Sequence, residues 1–323
     1  MASGGPPFYG RWPVSAVYEA VLDGNWVSAT LDFVTWSPLP AGTAFTTGLY
    51  EGVEFLSSAT VQVNGSGKAI EYLIIGGGGA GGNGNGAGAG GGGAGGFRSG
   101  TLPAPTVTPG PYSVQVGGGG SASPAPQATH PTPGTPSYFG PTIATAGGSG
   151  GGRAPLDPSS PPAFRAGQPG GSGGGGAGEV TPAGGSGTPG QGNAGGIGTP
   201  PSGPPNWGGG GGGGAGGAGS NGTSTSGGNG GPGSPTSITG TPAIYAGGGG
   251  ASTYAPAGAF GTLGTGGPGG GGNAGPASPT GVGIPGSVNT GGGGGGGTHG
   301  APNPLVTPGG AGGSGRVIIR WLA

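Results

Sequence analysis

The chain has 323 residues, of which 101 are glycine and 37 are proline, and only 5% are charged, with a formal net charge of −1. Such a glycine and proline content is typical of disordered chains, but those usually also carry a high net charge, so composition leaves order and disorder open. The absence of cysteine excludes disulfides and thiolate metal sites, and seven Lys and Arg residues are too few to form a basic patch for nucleic acid.

Targeting signals are missing from the sequence. No apolar run approaches the roughly 18 residues of a membrane-spanning helix. The first ten residues are polar and rich in Gly and Pro, unlike the basic start and apolar run of a secretory signal. We therefore expect neither membrane insertion nor a signal peptide.

Residues 1–67 differ from the rest of the chain in composition and in the pattern of apolar residues. They contain Trp12, Trp26 and Trp36 and several alternating apolar and polar runs. The segments 53–56 and 60–63, the second followed by Asn-Gly, are typical of strands that end in a turn. These features predict a small β-rich N-terminal domain over residues 1–67.

Two apolar, β-branched segments bracket the glycine-rich remainder of the chain. Ile70–Ile75 predicts a strand before the first glycine tract, Arg316–Trp321 predicts one after the last tract, and Tyr112–Val116 predicts a third. A flexible linker has no need of matched hydrophobic strands at its ends. We therefore expect strands at about 70–75, 112–116 and 316–321 to form a short sheet at the base of a second domain, residues 68–323.

The glycine tracts between these strands include two runs of seven glycines, Gly208–Gly214 and Gly291–Gly297. Extended glycine can adopt the threefold polyglycine II helix, which rises about 3.1 Å per residue and makes no internal hydrogen bond. Without Cβ atoms, neighbouring helices of this kind can approach closely and bond laterally. The expected fold class is thus mostly irregular and β, with a polyglycine II bundle closed by a short sheet; disorder is the alternative.

No catalytic or metal-binding constellation emerges from the sequence. Its two histidines, His130 and His299, lie far apart in Pro/Gly-rich loops, and its acidic residues are isolated. The pattern G-x-G-x-x-G occurs by chance in so glycine-rich a chain and never joins a strand to a helix-forming segment. We expect no enzymatic activity, no metal site and no cofactor.

Four segments together resemble a known family: Tyr72–Gly82, Gly95–Arg98, Tyr112–Gly117 and Gly312–Trp321. In order and spacing they resemble the glycine-rich domain of bacteriophage tail and fibre proteins. The alternation of tracts and loops is also similar to the tip adhesins of T-even-like phage fibres, in which loops on a polyglycine II scaffold touch the host receptor.

This resemblance implies an extracellular location in the virion tail or fibre, with residues 1–67 attached to other tail or fibre proteins. It also implies contact with a host cell-surface receptor, either a protein or a glycan. Both a monomer and a homotrimer are compatible with it.

Recognition would be carried by aromatic residues and arginines of the loops, the residue types enriched at binding hot spots. The alternative is that these aromatics cover the ends of a bundle that has no side-chain core. The candidate receptor-binding residues are Tyr138, Phe139, Phe164, Arg165, Trp207, Tyr245, Tyr254 and Phe260.

Other classes of function stay open. A purely structural fibre or spacer would share the scaffold without binding a receptor. A disordered glycine-rich surface protein would lack paired terminal strands, and an ice-binding protein would need regular tripeptide repeats that these irregular tracts do not supply.

Overall fold

A computed structural model of the chain describes residues 29–31, 33–37, 41–123, 131–145, 147–148, 150, 165–178, 182–199, 207–254, 261–276, 281–299 and 306–323. This part of the chain is β-rich and contains one 3-10 turn, Ala104–Thr106, but no α-helix. All of its paired strands run antiparallel.

The strands form two larger sheets and two short pairs. The five-stranded sheet has the order β3 (Gly42–Thr47), β4 (Tyr50–Phe55), β15 (Arg316–Leu322), β6 (Ile70–Ile75) and β7 (Phe97–Leu102). The six-stranded sheet has the order β1 (Ala29–Leu31), β2 (Val34–Ser37), β5 (Ala59–Val63), β8 (Gly110–Gln115), β9 (Ser137–Phe139) and β10 (Thr142–Ala144). The short pairs are β11 (Trp207–Gly208) with β14 (Thr253–Tyr254), and β12 (Ser234–Thr236) with β13 (Ala243–Tyr245).

The two larger sheets pack face to face as a β-sandwich. Because side chains alternate between the faces of a strand, every second residue of the central strands points into one shared core. The five-stranded sheet contributes Phe55, Ile74, Val317, Ile319 and Trp321, and the six-stranded sheet contributes Val34, Trp36, Val61, Val114 and Phe139.

The five-stranded sheet is covered on its outer face as well. Leu73, Ile75 and Ile318 of this face pack in a second cluster with Ile238 and Ala246, which belong to the glycine-rich part of the chain. Burial on both faces explains why β6 and β15 have nearly continuous apolar sequences instead of alternating ones.

The last strand of the chain, β15, lies in the middle of the five-stranded sheet. Val317 is opposite Phe55 of β4 on one side and Ile74 of β6 on the other. The strand expected at 112–116 spans 110–115 and lies in the six-stranded sheet, between β5 and β9, not beside β6 and β15. It could not lie beside β6, because β7 occupies that edge and pairs Phe97 with Ile75.

The predicted boundary between residues 67 and 68 does not separate the sheets. Strands β3 and β4 share a sheet with β6 and β15, and β2 and β5 share the other sheet with β8. Val53 and Val61, which precede the boundary, belong to the same core as Val317, which follows it. Within the described residues, the strands on both sides of the boundary therefore form a single sandwich.

The glycine-rich segments leave the sandwich from one end. Strand β6 ends at Ile75, and the first residues of β7 and β15, Phe97 and Arg316, both lie opposite it. From this end the segments run outward and back, joined by backbone hydrogen bonds between residues far apart in sequence. Gly92 N–H donates to Gly294 O at 2.8 Å, and Gly249 N–H donates to Gly92 O at 2.8 Å.

These hydrogen bonds repeat every three residues. The N–H groups of Gly91 and Ala94 both donate to the segment 210–213, those of Gly92 and Gly95 to the segment 291–294, and those of Gly93 and Gly96 to the segment 145–148. The segment 76–84 has the same repeat, with partners in 90–96, 132–135 and 307–313. Each such segment is thus held by three neighbours through its backbone.

Candidate binding surface

The end of the glycine segments farthest from the sandwich is called the tip. The chain leaves β6 after Ile75 and enters β7 at Phe97, so the bend at residues 85–87 marks the turning point of this excursion. The residues on either side of the bend meet other segments there, because Gly84 bridges to Thr307 and Gly88 bridges to Gly178. The tip therefore gathers residues from widely separated parts of the sequence.

Three aromatic side chains meet at the tip. The rings of Trp207 and Tyr254 stack with their centroids 5.4 Å apart and their planes at 19°. The ring of His299 lies 5.6 Å from that of Tyr254, at 32°. Gly88 is so close to the Trp207 backbone that a Cβ on it would lie 2.2 Å from the Trp207 carbonyl oxygen. Trp207, Tyr254 and His299 are together called the tip aromatic stack.

The tip aromatic stack is positioned by backbone pairing. Trp207 and Tyr254 are opposite each other in the β11–β14 pair, which places their side chains on the same face. The adjoining Gly209 N–H donates to Ser252 O at 3.0 Å. The Ser252 hydroxyl accepts from Ala89 N–H at 2.9 Å and donates to Gly297 O at 2.6 Å, which ties the β14 side of the stack to two further segments.

The polar groups around the stack are largely neutral. Thr298 donates to Gly275 O at 2.6 Å, and Thr307 donates to Thr298 O at 2.8 Å. The indole Nε1 of Trp207 and the amide Nδ2 of Asn85 are buried and find no hydrogen-bond partner within the part of the chain that the structure describes. Among the described residues between Arg98 and Arg316, the one charged side chain is that of Arg165.

Three of the predicted binding residues lie at the tip. Trp207 and Tyr254 are in direct contact in the stack. Arg165 lies at the same end. Its carbonyl oxygen accepts from Ala177 N–H at 2.8 Å, and Gly178, which follows Ala177, donates to Gly88 O. Phe164 and Phe260 lie outside the described residues.

The other three candidates lie at the sandwich end of the molecule, away from the tip. Phe139 is fully buried in its core and stacks on Tyr112 at 5.5 Å, so its prediction as a receptor contact is wrong. Tyr138 lies on β9, paired with Gln115 and Ile143, away from the tip.

Tyr245 packs on the outer face of the five-stranded sheet, and its hydroxyl is 2.7 Å from Nη1 of Arg316. The guanidinium of Arg316 also lies over the Tyr245 ring, 4.5 Å from its centroid, and forms an ion pair with Glu54. These contacts give Tyr245 a structural position at the base of the glycine segments.

His299 is not among the predicted binding residues, since the sequence shows it only as a residue of a Pro/Gly-rich loop. A signal was present in the sequence: His299 follows the run Gly291–Gly297 by two residues, and Trp207 immediately precedes the run Gly208–Gly214. Because an end of each of these two runs lies at the tip, the aromatic residue next to that end lies at the tip as well.

The described residues contain no cluster of His, Cys, Asp and Glu that could hold a metal ion. The same part of the chain contains no helix that is long and apolar enough to cross a membrane. Of the shallow pockets, one is lined by Glu71 and Arg320, whose charges neutralise each other at 2.6 Å. The described residues of the tip offer aromatic surface, neutral hydrogen-bonding groups and one cationic side chain, that of Arg165.

Comparison with known proteins gives one family. The family described as "Glycine-rich domain" matches residues 54–322, a range that begins in β4 and ends in β15. No curated protein matches the chain. The match covers most of the sandwich and all of the glycine segments, and the chain therefore belongs to the glycine-rich domain family.

Proposed function

We propose that the chain is a non-catalytic tail-fibre or tip protein of a bacteriophage. In this proposal the glycine segments form a polyglycine II scaffold that presents the tip aromatic stack to a receptor on the host cell. The chain is then a virion component that acts outside the cell. The observation that carries the proposal is the aromatic stack at the far end of a backbone-bonded glycine array.

The three-residue repeat of hydrogen-bond partners supports the polyglycine II assignment. A threefold helix points the N–H groups of residues i and i+3 in the same direction, so both meet the same neighbour. Gly91 with Ala94, and Gly92 with Gly95, follow this rule. In a β-strand, by contrast, the side-to-side alternation has a period of two.

The packing of the array supports a rigid scaffold. A Cβ on Gly212 would lie 1.9 Å from Gly92 O, and one on Gly293 would lie 1.9 Å from the same oxygen. Segments in such close contact have little freedom to move independently. Binding residues are most effective on a scaffold that fixes their geometry, and this array fixes the tip aromatic stack.

The opposite end of the molecule supplies the expected attachment side. The sandwich and the N-terminal residues 1–67 are proposed to join other tail or fibre proteins, as the family resemblance implies. Leu49 is 76% exposed and Leu322 is 54% exposed, and the two are adjacent, since Ala323 N–H donates to Leu49 O. An exposed apolar patch of this kind is compatible with such a contact.

The proposal is tested with the full chain and the bacterium on which the parent phage grows. The labelled chain should bind these cells and compete with virions for adsorption. Tyr254→Ala should abolish both effects by removing the ring in the middle of the stack. Tyr138→Ala, which removes a partly exposed ring on the sandwich, should leave both unchanged.

The second candidate is a structural fibre or spacer, favoured by the mutual burial of the stacked rings. It predicts that the folded chain neither binds cells nor competes with virions. It also predicts that Tyr254→Ala lowers the free energy of unfolding without any effect on adsorption. That pair of results would replace the receptor-binding proposal.

A further inference from the structure

The residues of the tip also indicate which chemical class of ligand would bind there. This inference rests on the proposed function. We infer that the tip aromatic stack takes a neutral saccharide of the host surface. Three observations on the described residues support this ligand class: the aromatic rings, the unpaired donors and the scarcity of charge.

The rings supply the first part of the recognition. An aromatic ring has an electron-rich face, which attracts groups with partial positive charge. The C–H groups on one side of a sugar ring are such groups, and they form a flat surface of matching size. Trp207 offers the largest ring of the stack and is half-buried, held in place by its contact with Tyr254.

Unpaired hydrogen-bond donors supply the second part. Among the described residues, neither Trp207 Nε1 nor Asn85 Nδ2 has a hydrogen-bond partner, and Asn85, at the bend of the tip, is 6% exposed. An unpaired buried donor is unfavourable, and a ligand oxygen that accepts from it removes this cost. Trp36 and Trp321 also have unpaired indole groups, but those lie in the closed core of the sandwich, where no ligand can reach them.

The charge pattern selects among polar ligands. A phosphorylated or strongly anionic polymer is normally bound by several Arg and Lys side chains. The described part of the tip has Arg165 alone, beside hydroxyl and amide groups such as those of Thr223, Ser226 and Asn221. Hydroxyl-rich, uncharged sugars fit this surface.

The first experiment separates a saccharide from a protein receptor on the cell. Host cells are treated either with periodate, which cleaves the vicinal diols of sugars, or with protease, and binding of the full chain is measured. The inference predicts that periodate abolishes binding and that protease leaves it intact. Loss of binding after protease but not after periodate would overturn the saccharide while leaving the receptor-binding proposal in place.

The second experiment needs no host cell. The chain is applied to a printed array of bacterial surface polysaccharides and their component mono- and disaccharides. We expect binding to neutral members, weakened about 30-fold or more by Trp207→Ala, as for a hot-spot residue. A folded chain that binds no saccharide on the array, and whose cell binding resists periodate, would overturn the inference.

A third variant distinguishes ligand contact from structural support. Trp207→Phe keeps an aromatic ring but removes the N–H group, for which the described residues supply no partner. Saccharide affinity should fall about three- to tenfold, whereas the free energy of unfolding should change little. A fall in stability with unchanged affinity would assign Trp207 a structural role and contradict the inference. Tyr138→Ala is the control with both quantities unchanged.

Discussion

Glycine at the interior positions of the array is required by space. A Cβ added to such a residue would clash with the carbonyl oxygen of a neighbouring segment. Gly92 O, for example, leaves no room for a Cβ on either Gly212 or Gly293. Backbone atoms of a bonded segment cannot rotate away as a flexible side chain could. The sequence therefore has glycine runs where segments are surrounded and other residues where a side is open.

Gly212→Ala tests this requirement at a single position. The new Cβ would lie 1.9 Å from Gly92 O, so we expect the free energy of unfolding to fall by about 3 kcal/mol or more. Gly118→Ala is the matched control, because its Cβ would meet nothing closer than Thr135 Oγ1 at 3.9 Å. That substitution should be neutral or stabilising by about 0.4–1 kcal/mol. Equal effects in denaturant titrations of both variants would contradict the close packing.

Arg316 links the sandwich to the glycine segments through its side chain. Its Nε donates to Asn289 O at 2.7 Å, and Nη1 bonds both Tyr245 and Glu54. Its side chain is 15% exposed, so the charge depends on these partners.

Glu54→Ala would leave the Arg316 charge partly buried without its carboxylate. We expect a loss of about 1–3 kcal/mol in the free energy of unfolding. Glu51→Ala on the same strand is the control and should stay within about 0.5 kcal/mol, as is usual away from special contacts. If both variants unfold at the same denaturant concentration, the ion pair does not stabilise the junction.

At the scale of elements, the β12–β13 hairpin covers the outer face of the five-stranded sheet. Ile238, between these strands, is 8% exposed and belongs to the cluster with Leu73 and Ile318. Its carbonyl oxygen also accepts from Arg320 Nη1 at 2.8 Å. The hairpin thus shields the apolar outer face from water, as a further packed sheet would do.

Ile238→Ala should therefore lower the free energy of unfolding by about 2–5 kcal/mol through the lost contacts and the cavity. The control is Ile244→Ala in the same hairpin, where the side chain is 47% exposed. It should change stability by about 0.5 kcal/mol at most. Thermal unfolding of the two variants side by side distinguishes a packed hairpin from a loosely attached one.

Some of these elements could be predicted from sequence and others could not. The continuous β-branched runs at 70–75 and 316–321 indicate buried strands without reference to the rest of the chain. Alternation in β8 shows that Val114 faces a core, but it does not show which of two sheets the strand joins. That choice depends on β7, whose sequence, Phe97–Leu102, is polar and carries a weak strand signal.

The sequence does not show at which end of the molecule each loop lies, and this limits the prediction of the binding site. Composition identifies Trp207 and Tyr245 equally as loop aromatics, yet one lies at the tip and the other at the base. The difference is set by how many times the chain has reversed before each residue, which no local pattern records. For the same reason no local pattern indicates that His299 lies at the tip, and none indicates that a three-residue strand buries Phe139.

At the scale of the whole molecule, the sandwich is completed by the last strand of the chain. Strand β15 lies between β4 and β6, so each of these strands lacks one of its two partners until residues 316–322 are in place. The core also lacks Val317, Ile319 and Trp321 until then. Pairing across so long a separation in sequence makes folding dependent on the C-terminal segment.

Deletion of residues 316–323 should leave no cooperative unfolding transition, because the core loses three fully buried side chains and β4 and β6 are no longer joined in one sheet. Leu322→Ser in the same strand, where the side chain is 54% exposed, should retain the transition. Near-ultraviolet circular dichroism with denaturant titration measures both. A deleted chain that still unfolds cooperatively would show that the glycine array folds without β15.

The central claim is that the glycine segments are ordered by lateral backbone hydrogen bonds. Amide hydrogen exchange measured by nuclear magnetic resonance tests it directly, with the amides of 90–96 compared with those of β6 and β15 and with Gly190, an exposed turn residue. Exchange in 90–96 as slow as in the two strands, with fast exchange at Gly190, is the predicted result. Protection of β6 and β15 beside unprotected exchange in 90–96 would contradict the account, because it would describe a sandwich carrying disordered glycine loops.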